Sequence, residues 1–256
     1  MAEDRDHKGR VRVAVTGMGV AAPGGQTLDA FWSTLASGRS TAATITRFDP
    51  SNLPVRFGCE VLDFDPTVYV GPKEARRMDR VTQLGLSAAI QALNDANLPQ
   101  VDPARCGVII GTGVGGFISL EEQTAIYLTK GAARVSPFLI PMMMANATAG
   151  SIAMQFGWTG PNMCTATACA ASAHAVGEAA RLIRDETCDV VMTGGCEACI
   201  TETAVSAFAR MTALSTRNDD PEHASRPFDA DRDGFVMGEA GAALLLERWD
   251  RAVARG

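Results

Sequence analysis

The feature that most constrains the fold is a repeated alternation of short apolar runs with longer helical patterns. The runs of strand length are Val11–Val15, Gly107–Ile110, Asn162–Thr167, Asp189–Gly194 and Gly241–Glu247. Short runs that are apolar on both faces are typical of buried sheets, and strands that alternate with helices predict a layered α/β sandwich. We therefore expect a largely parallel sheet between helices, with a glycine turn at Thr16–Gly19 after the first strand.

The helical segments between these runs have recognisable start and stop residues. Gly38 is placed to end a helix over Leu28–Ser37, and Pro72 is placed to open one over Lys73–Asn97. Apolar spacing predicts the remaining helices at Leu120–Leu128, Pro141–Phe156, Ala170–Asp185, Ala204–Met211 and Trp249–Ala254.

Composition excludes several classes of function. The chain has 256 residues with 46% hydrophobic and 20% charged residues, which is ordinary for a globular protein. Its net charge of −6 lacks the basic excess of nucleic-acid binders. No apolar run approaches the ~18 residues of a membrane span, and residues 1–10 lack a signal-peptide core. We expect a cytoplasmic protein with neither a nucleic acid nor a membrane as partner.

One of the seven cysteines lies at a position that favours a nucleophilic role. An odd count in a chain of this length argues against a disulfide framework, so most cysteines should be small buried side chains. Cys169, however, lies between a strand and a helix of small residues, at the helix N-terminus. Helix N-termini favour anions, and the thiolate is the nucleophilic form of cysteine. The same backbone N–H groups could bind an oxyanion.

The alternative is that Cys169 is another structural cysteine. His174 does not decide between these interpretations, because a residue five positions further along a helix points away from the first. We therefore expect His174 to be structural. His7 lies in the N-terminal segment and His223 in a polar loop.

Several motifs suggest cofactors or metals but are incomplete. The glycine turns Gly17–Ala22 and Gly111–Gly116 match the dinucleotide fingerprint, yet no carboxylate ends a second strand about 20 residues later. The Asp229–Gly234 segment resembles a calcium loop, but Glu239 falls one position too early. Cys196–Cys199 is a single CxxC without a second pair, which favours buried cysteines at a strand end. We expect no cofactor and no metal.

Four segments are far more specific in combination than separately. They are Val15-Thr16-Gly17-Met18-Gly19, Thr167-Ala168-Cys169, Leu214–Asp219, and Ser225–Asp229 continued by Arg232–Val236 and Gly238–Gly241. With them the chain resembles, from Val11 to Gly256, the β-ketoacyl–acyl-carrier-protein synthases, the condensing enzymes of fatty acid and type II polyketide synthesis. The resemblance implies an α/β, thiolase-like fold of two similar halves. This chain would be the first half, a five-stranded mixed sheet layered with helices.

The resemblance also implies a domain plan and a reaction. Residues 1–10 would be a flexible tail, 11–250 the N-terminal synthase domain, and 251–256 the start of a connection to a second half. Cys169 would accept an acyl chain from acyl carrier protein as a thioester, and its backbone N–H would help to bind the oxyanion. Malonyl carrier protein would lose CO2, and the carbanion would attack the thioester to give a 3-oxoacyl product.

Other implied sites and partners complete the expectation. Val114 and Phe208 resemble walls of the acyl channel, with ordinary core packing as the alternative. The residues that resemble the docking surface for the acidic carrier protein, on one basic helix face, are Lys73, Arg76 and Arg77. A solvated helix face is the alternative there. A homodimer or heterodimer is implied, with the helix after Pro141 and the Asn162 strand near its interface.

Two histidines that assist decarboxylation and condensation in the family belong to the second half. Their motifs do not occur in these 256 residues. The chain could be a fragment, could pair with another chain that supplies the second half, or could be inactive in condensation. The alternative function is a truncated or non-catalytic partner that only binds acyl chains or carrier protein. Without a second half, we expect an exposed apolar surface and an unstable monomer.

Overall fold

A computed structural model describes residues 4–98 and 101–256. Residues 1–3 of the predicted tail lie outside the described residues. The strands are β1 Val13–Ala21, β2 Ala43–Thr44, β3 Phe57–Gly58, β4 Cys106–Gly111, β5 Asn162–Thr165, β6 Val190–Glu197 and β7 Ala240–Arg248. The helices are α1 Leu28–Ala36, α2 Pro72–Ala75, α3 Arg80–Ala96, α4 Phe117–Lys130, α5 Leu139–Met143, α6 Ala147–Phe156, α7 Ala171–Arg184, α8 Glu202–Arg210 and α9 Trp249–Arg255.

The main sheet has five strands in the order β1-β7-β6-β4-β5. β4 pairs in parallel with β5 and with β6, whereas β7 runs antiparallel to β6 and to β1. The expected five-stranded mixed sheet is therefore confirmed. The expectation of a largely parallel sheet is also confirmed, because β1, β4, β5 and β6 run in one direction and only β7 is reversed. The apolar patterns do not reveal that reversal, because they record burial and not strand direction.

The predicted turn at Thr16–Gly19 is wrong, since β1 continues through it to Ala21. A Cβ on Gly17 would clash with the carbonyl oxygen of Ala92, and one on Gly19 with that of Ala88. The glycines thus let α3 lie directly against β1, and they do not turn the chain.

Two predicted helices are each divided in the structure. Asp79 is extended, with ψ at 157°, and its carboxylate caps α3 by accepting from the Val81 backbone N–H at 3.0 Å. The helix expected from Lys73 to Asn97 is therefore two helices. The one expected from Pro141 to Phe156 is interrupted at Met144, whose ψ is 136°.

Alternate residues of the sheet strands belong to two different cores. Val108 and Ile110 pack with α3 and α6 on one face, whereas Ile109 packs with α7 on the other. The same alternation places Met192 on the α3 face and Val191 on the α7 face. Helices on both faces fix the strands, because each fully buried Val, Leu or Ile side chain contributes about 1.5–3 kcal/mol.

Part of the α7 face is uncovered. Val15 and Met18 of β1 are exposed to 55% and 46%, and Leu244, the cross-strand partner of Met18, is half-buried. Beside them, Ser172, Ala173 and His174 of α7 are exposed. No helix in the described part of the chain is long and apolar enough to cross a membrane.

Candidate active site

Cys169 lies in a single turn of 3-10 helix, Ala168–Ala170, between the end of β5 and the start of α7. The expected strand-to-helix setting is therefore present. Ala168 has a φ of 50°, a left-handed conformation that costs a residue with a Cβ about 1–2 kcal/mol. This turn projects Cys169 to an exposed position at the N-terminal end of a 14-residue helix. Free backbone N–H groups and the positive end of the helix dipole are found at such a position.

The other six cysteines are poor candidates for a nucleophile. Burial is the main cause that raises the thiol pKa of Cys59, Cys106, Cys164, Cys188, Cys196 and Cys199. For Cys106, Cys196 and Cys199 the pKa rises to about 12. Those thiols stay protonated at neutral pH, and a protonated thiol is not a nucleophile. Cys169 is the one cysteine of the described residues in an exposed position.

Three hydrogen bonds hold the turn around Cys169, besides the one within it from the Ala171 backbone N–H to the Ala168 carbonyl. The Ala170 backbone N–H donates to the Thr167 carbonyl at 3.2 Å, and the Thr165 hydroxyl donates to the Ala171 carbonyl at 2.8 Å. The third joins Thr167 Oγ1 to His174 Nδ1 at 2.7 Å. Helical spacing places His174 away from Cys169, but the ring contacts Thr167, two residues before Cys169.

Close packing places the start of α7 over the ends of two strands. A Cβ on Gly111, the last residue of β4, would clash with the backbone of Ala171. A Cβ on Gly195 of β6 would clash with the Ser172 hydroxyl. The two glycines therefore allow the nucleophile turn to reach the carboxyl edge of the parallel strands, where α/β sheets commonly bind ligands.

The loop that carries Val114 meets the nucleophile turn at this edge. It follows β4, and Val114 is 51% exposed. A Cβ on Gly113 would lie 3.8 Å from the Ala168 Cα and 2.7 Å from Glu197 Oε2. Val114 is thus next to a residue that contacts both the nucleophile turn and the end of β6.

Glu197 is a site residue that the sequence did not reveal. Its carboxylate accepts from the Gly113 backbone N–H at 2.5 Å and from the Thr112 hydroxyl at 3.2 Å. Burial raises the pKa of the Glu197 carboxyl, while these hydrogen bonds and one from Val114 oppose the rise. The only sequence signal was an acidic residue at the end of a buried strand.

Phe208 lies on α8 and packs in an apolar cluster. It is partly buried on α8 beside an apolar cluster that includes Ile200 and Val205. Its ring packs edge-on against Phe235, with centroids 5.6 Å apart.

The three basic residues do not share a helix face. α2 ends at Ala75, so Arg76 and Arg77 follow the helix that contains Lys73. All three residues are exposed, and the Arg77 guanidinium lies 4.6 Å from the centroid of the Phe138 ring. The predicted basic helix face is wrong because Asp79 starts a new helix, but the positive charges remain neighbours on the surface.

Part of the fourth family-like segment lines an open cavity of about 750 Å³. The cavity is bordered by Arg226 and Arg232, whose guanidinium groups donate to the carbonyl oxygens of His223 and Asp229. Phe228, also on its wall, is 99% exposed.

Comparison with known proteins shows the family to which this chain belongs. The family described as "Beta-ketoacyl synthase, N-terminal domain" matches residues 10–252. The chain belongs to the β-ketoacyl synthase family. The resemblance seen in four segments is thereby confirmed over almost the whole chain.

The relatives of this chain are considerably longer. The "3-oxoacyl-[acyl-carrier-protein] synthase 2" of Synechocystis sp. is 51% identical over 247 residues, which are 96% of this chain and 59% of the relative. The chain thus spans about three fifths of the length of the curated relatives that it matches.

Solved structures agree with the ketosynthase fold. The ishigamide ketosynthase/chain length factor has a TM-score of 0.88 at 31% identity, over 96% of this chain and 60% of that one. A type II polyketide synthase acyl-carrier protein in complex with its ketosynthase, bound to the hexaketide, gives a TM-score of 0.84 at 28% identity, with 96% and 60% covered.

Proposed function

We propose that this chain carries the thioester-forming part of a 3-oxoacyl–acyl carrier protein synthase. The Cys169 sulfur attacks the thioester carbonyl of an acyl carrier protein, and a new carbon–sulfur bond replaces the one to the carrier. The carrier leaves as a thiol that takes up the proton lost by Cys169. The observation that carries this proposal is the exposed Cys169 at the start of α7, among six thiols whose pKa is raised by burial.

The same turn supplies the oxyanion donor in this proposal. The backbone N–H of Cys169 lies ahead of α7, where N–H groups are not used within the helix. Val114, on the loop beside Ala168, is proposed to contact the acyl chain. Phe208 is proposed as a more distant channel wall, reached through its contact with Phe235.

Condensation is proposed to follow on malonyl carrier protein, with loss of CO2 and formation of a 3-oxoacyl product. That step uses two histidines of a second half, in the same chain or in a partner chain. The uncovered apolar residues Val15, Met18 and Leu244 beside α7 support a further segment packing there. By itself, this chain should therefore form the thioester without making the condensed product.

The partners follow from surface charge and strand pairing. Acyl carrier protein is the proposed acyl donor, and exposed Lys73, Arg76 and Arg77 are its proposed docking residues, because such carriers are acidic. β5 is an edge strand that pairs only with β4 within the described sheet. Its free edge, with Met163 40% exposed, supports a homodimer or heterodimer. Residence in the cytoplasm is part of the same proposal.

Intact mass spectrometry tests the thioester step. After incubation with acyl carrier protein loaded with a fatty acyl chain, the wild-type chain should gain one acyl group and Cys169→Ala should gain none. A wild-type chain that stays unmodified, or an adduct that persists in Cys169→Ala, would refute the proposal.

Charge reversal tests the docking residues separately. Lys73→Glu with Arg76→Glu should slow acyl transfer from the carrier protein, and added salt should reduce the difference from wild type. Transfer from a small acyl thioester without a carrier should be unchanged. Equal slowing with both donors would count against a docking role.

A further inference from the structure

We propose that His174 is a positioning residue for Cys169 and acts through Thr167. The inference rests on the proposed role of Cys169 as the acyl acceptor. It arises from the 2.7 Å contact between His174 Nδ1 and Thr167 Oγ1, which links the first turns of α7 to the segment just before the nucleophile.

The turn needs such a restraint because Ala168 is in a disfavoured conformation. Its φ of 50° is rare for a residue with a Cβ, and such backbone states persist only where the surroundings hold them. Ala168 lies between Thr167 and Cys169, so any rotation that relaxes it moves one neighbour relative to the other. Fixing Thr167 therefore fixes the direction in which Cys169 projects.

The backbone that carries His174 is held in place by close packing. It belongs to α7, whose start is packed against β4 and β6 at Gly111 and Gly195 without room for a Cβ. The buried residues Ala171 and Ala175 hold the same helix turn against the sheet. A side chain on this helix can therefore serve as a hydrogen-bond partner that holds the Thr167 hydroxyl in one position.

The hydrogen bond does not depend on one protonation state. The Thr167 hydroxyl can donate to a neutral Nδ1 or accept from an Nδ1 that carries a proton. The contact at Nδ1 therefore gives His174 a part in the shape of the turn, whichever ring nitrogen carries the proton.

Matched variants separate this hydrogen bond from the bulk of the ring. His174→Asn keeps an amide near the position of Nδ1, His174→Gln places it near Nε2, and His174→Ala removes it. Thr167→Val removes the other partner at similar volume. We expect His174→Ala, His174→Gln and Thr167→Val to slow acyl transfer to Cys169 by about tenfold or more, since small misplacements of reacting atoms are costly. His174→Asn should stay within about threefold of wild type, because it preserves this positioning.

A double-mutant cycle identifies the pair itself. His174→Ala with Thr167→Val should be no slower than the slower single variant, because both remove one interaction. Multiplying effects, or a His174→Asn as slow as His174→Ala, would overturn the proposal. Thermal unfolding by circular dichroism should show that all variants are folded.

The two proposals can fail separately. If wild type takes no acyl chain from the carrier protein, the proposed function fails. The rate of Cys169 alkylation by iodoacetamide then still tests positioning, with the same order of variants expected. If wild type is acylated but His174→Ala and Thr167→Val match it, only the positioning proposal fails.

Discussion

The Gly113 backbone N–H donates to Glu197 Oε2 at 2.5 Å and thereby ties the loop after β4 to the end of β6. Thr112 strengthens the tie, because its hydroxyl donates to the same carboxylate at 3.2 Å and accepts from the Gly115 backbone N–H at 3.1 Å. Since Gly113 also adjoins Ala168, one half-buried carboxylate connects the loop of Val114 with the surroundings of the nucleophile turn.

Glu197 should make stability depend on pH. Burial raises its pKa in the folded chain above the ordinary value of 4.5, so the folded state holds this proton more firmly than the unfolded state does. Its contribution to stability is complete below the unfolded pKa and is lost as pH rises through the folded pKa. As pH rises above the ordinary value of 4.5, urea unfolding should therefore show wild type losing stability relative to Glu197→Gln, which cannot titrate. A constant difference would contradict the assignment.

Gly111 should not tolerate a side chain. Gly111→Ala places a Cβ against the backbone of Ala171 and Ser172, which cannot move without shifting α7. We expect a loss of about 1–3 kcal/mol in the free energy of unfolding and slower alkylation of Cys169.

The matched control for Gly111 lies in α6. Gly150→Ala adds the same methyl group where no atom lies within 4 Å, and it should stabilise the chain by about 0.5–1 kcal/mol. Equal effects of the two substitutions on urea unfolding would show that close packing at Gly111 is unimportant.

Iodoacetamide should distinguish Cys169 from the other six thiols. In the native chain at pH 8, brief treatment should modify Cys169 alone, because burial raises the pKa of the others. Peptide mapping should find all seven cysteines modified after denaturation. Cys164→Ser should keep the native adduct and Cys169→Ala should lose it. Rapid native labelling at Cys106 or Cys196 would be the contrary result.

Glu239 should be among the most costly positions to truncate. Its buried carboxylate receives two hydrogen bonds from Arg80, at 2.8 and 2.7 Å, and contacts Arg47 at 3.2 Å. Glu239→Ala should cost about 3–5 kcal/mol, because it leaves the partly buried Arg80 without its carboxylate. Urea unfolding measures the loss.

The control for Glu239 is an exposed ion pair on α7. Glu178 and Arg181 are paired at 2.7 Å, but both side chains are about half exposed. Glu178→Gln should leave the urea midpoint unchanged. A Glu239→Ala variant as stable as Glu178→Gln would show that the buried network adds nothing.

The sequence predicts the positions of the elements better than the junctions between them. Strand positions and the setting of Cys169 follow from apolar runs and small residues, which are local signals. The break at Asp79 was hidden because Met78 and Val81 continue the apolar spacing across it, while the capping hydrogen bonds to Val81 and Ser119 appear only in three dimensions.

The same limit of local sequence signals applies to the site residues. Glu197 accepts a hydrogen bond from Gly113, which is 84 residues earlier in the sequence, and no local sequence pattern predicts such a contact. Helical spacing predicts that His174 points away from Cys169 and gives it no functional role. That spacing applies only within a helix, and the partner of His174, Thr167, lies on the turn before α7. The acyl-channel roles of Val114 and Phe208, the docking role of the basic residues and the domain boundaries stay predictions.

The antiparallel pairing of β1 with β7 has a topological consequence. Val13 lies opposite Arg248, the Trp249 backbone N–H donates to the Arg12 carbonyl, and the Arg12 guanidinium lies 4.0 Å from the centroid of the Trp249 ring. The polypeptide thus enters and leaves the sandwich at one corner. Because the two chain ends lie close together, the domain can be inserted into or repeated within a longer polypeptide without a change in its strand order. The same closeness allows a short linker to join the two ends in a circular permutant.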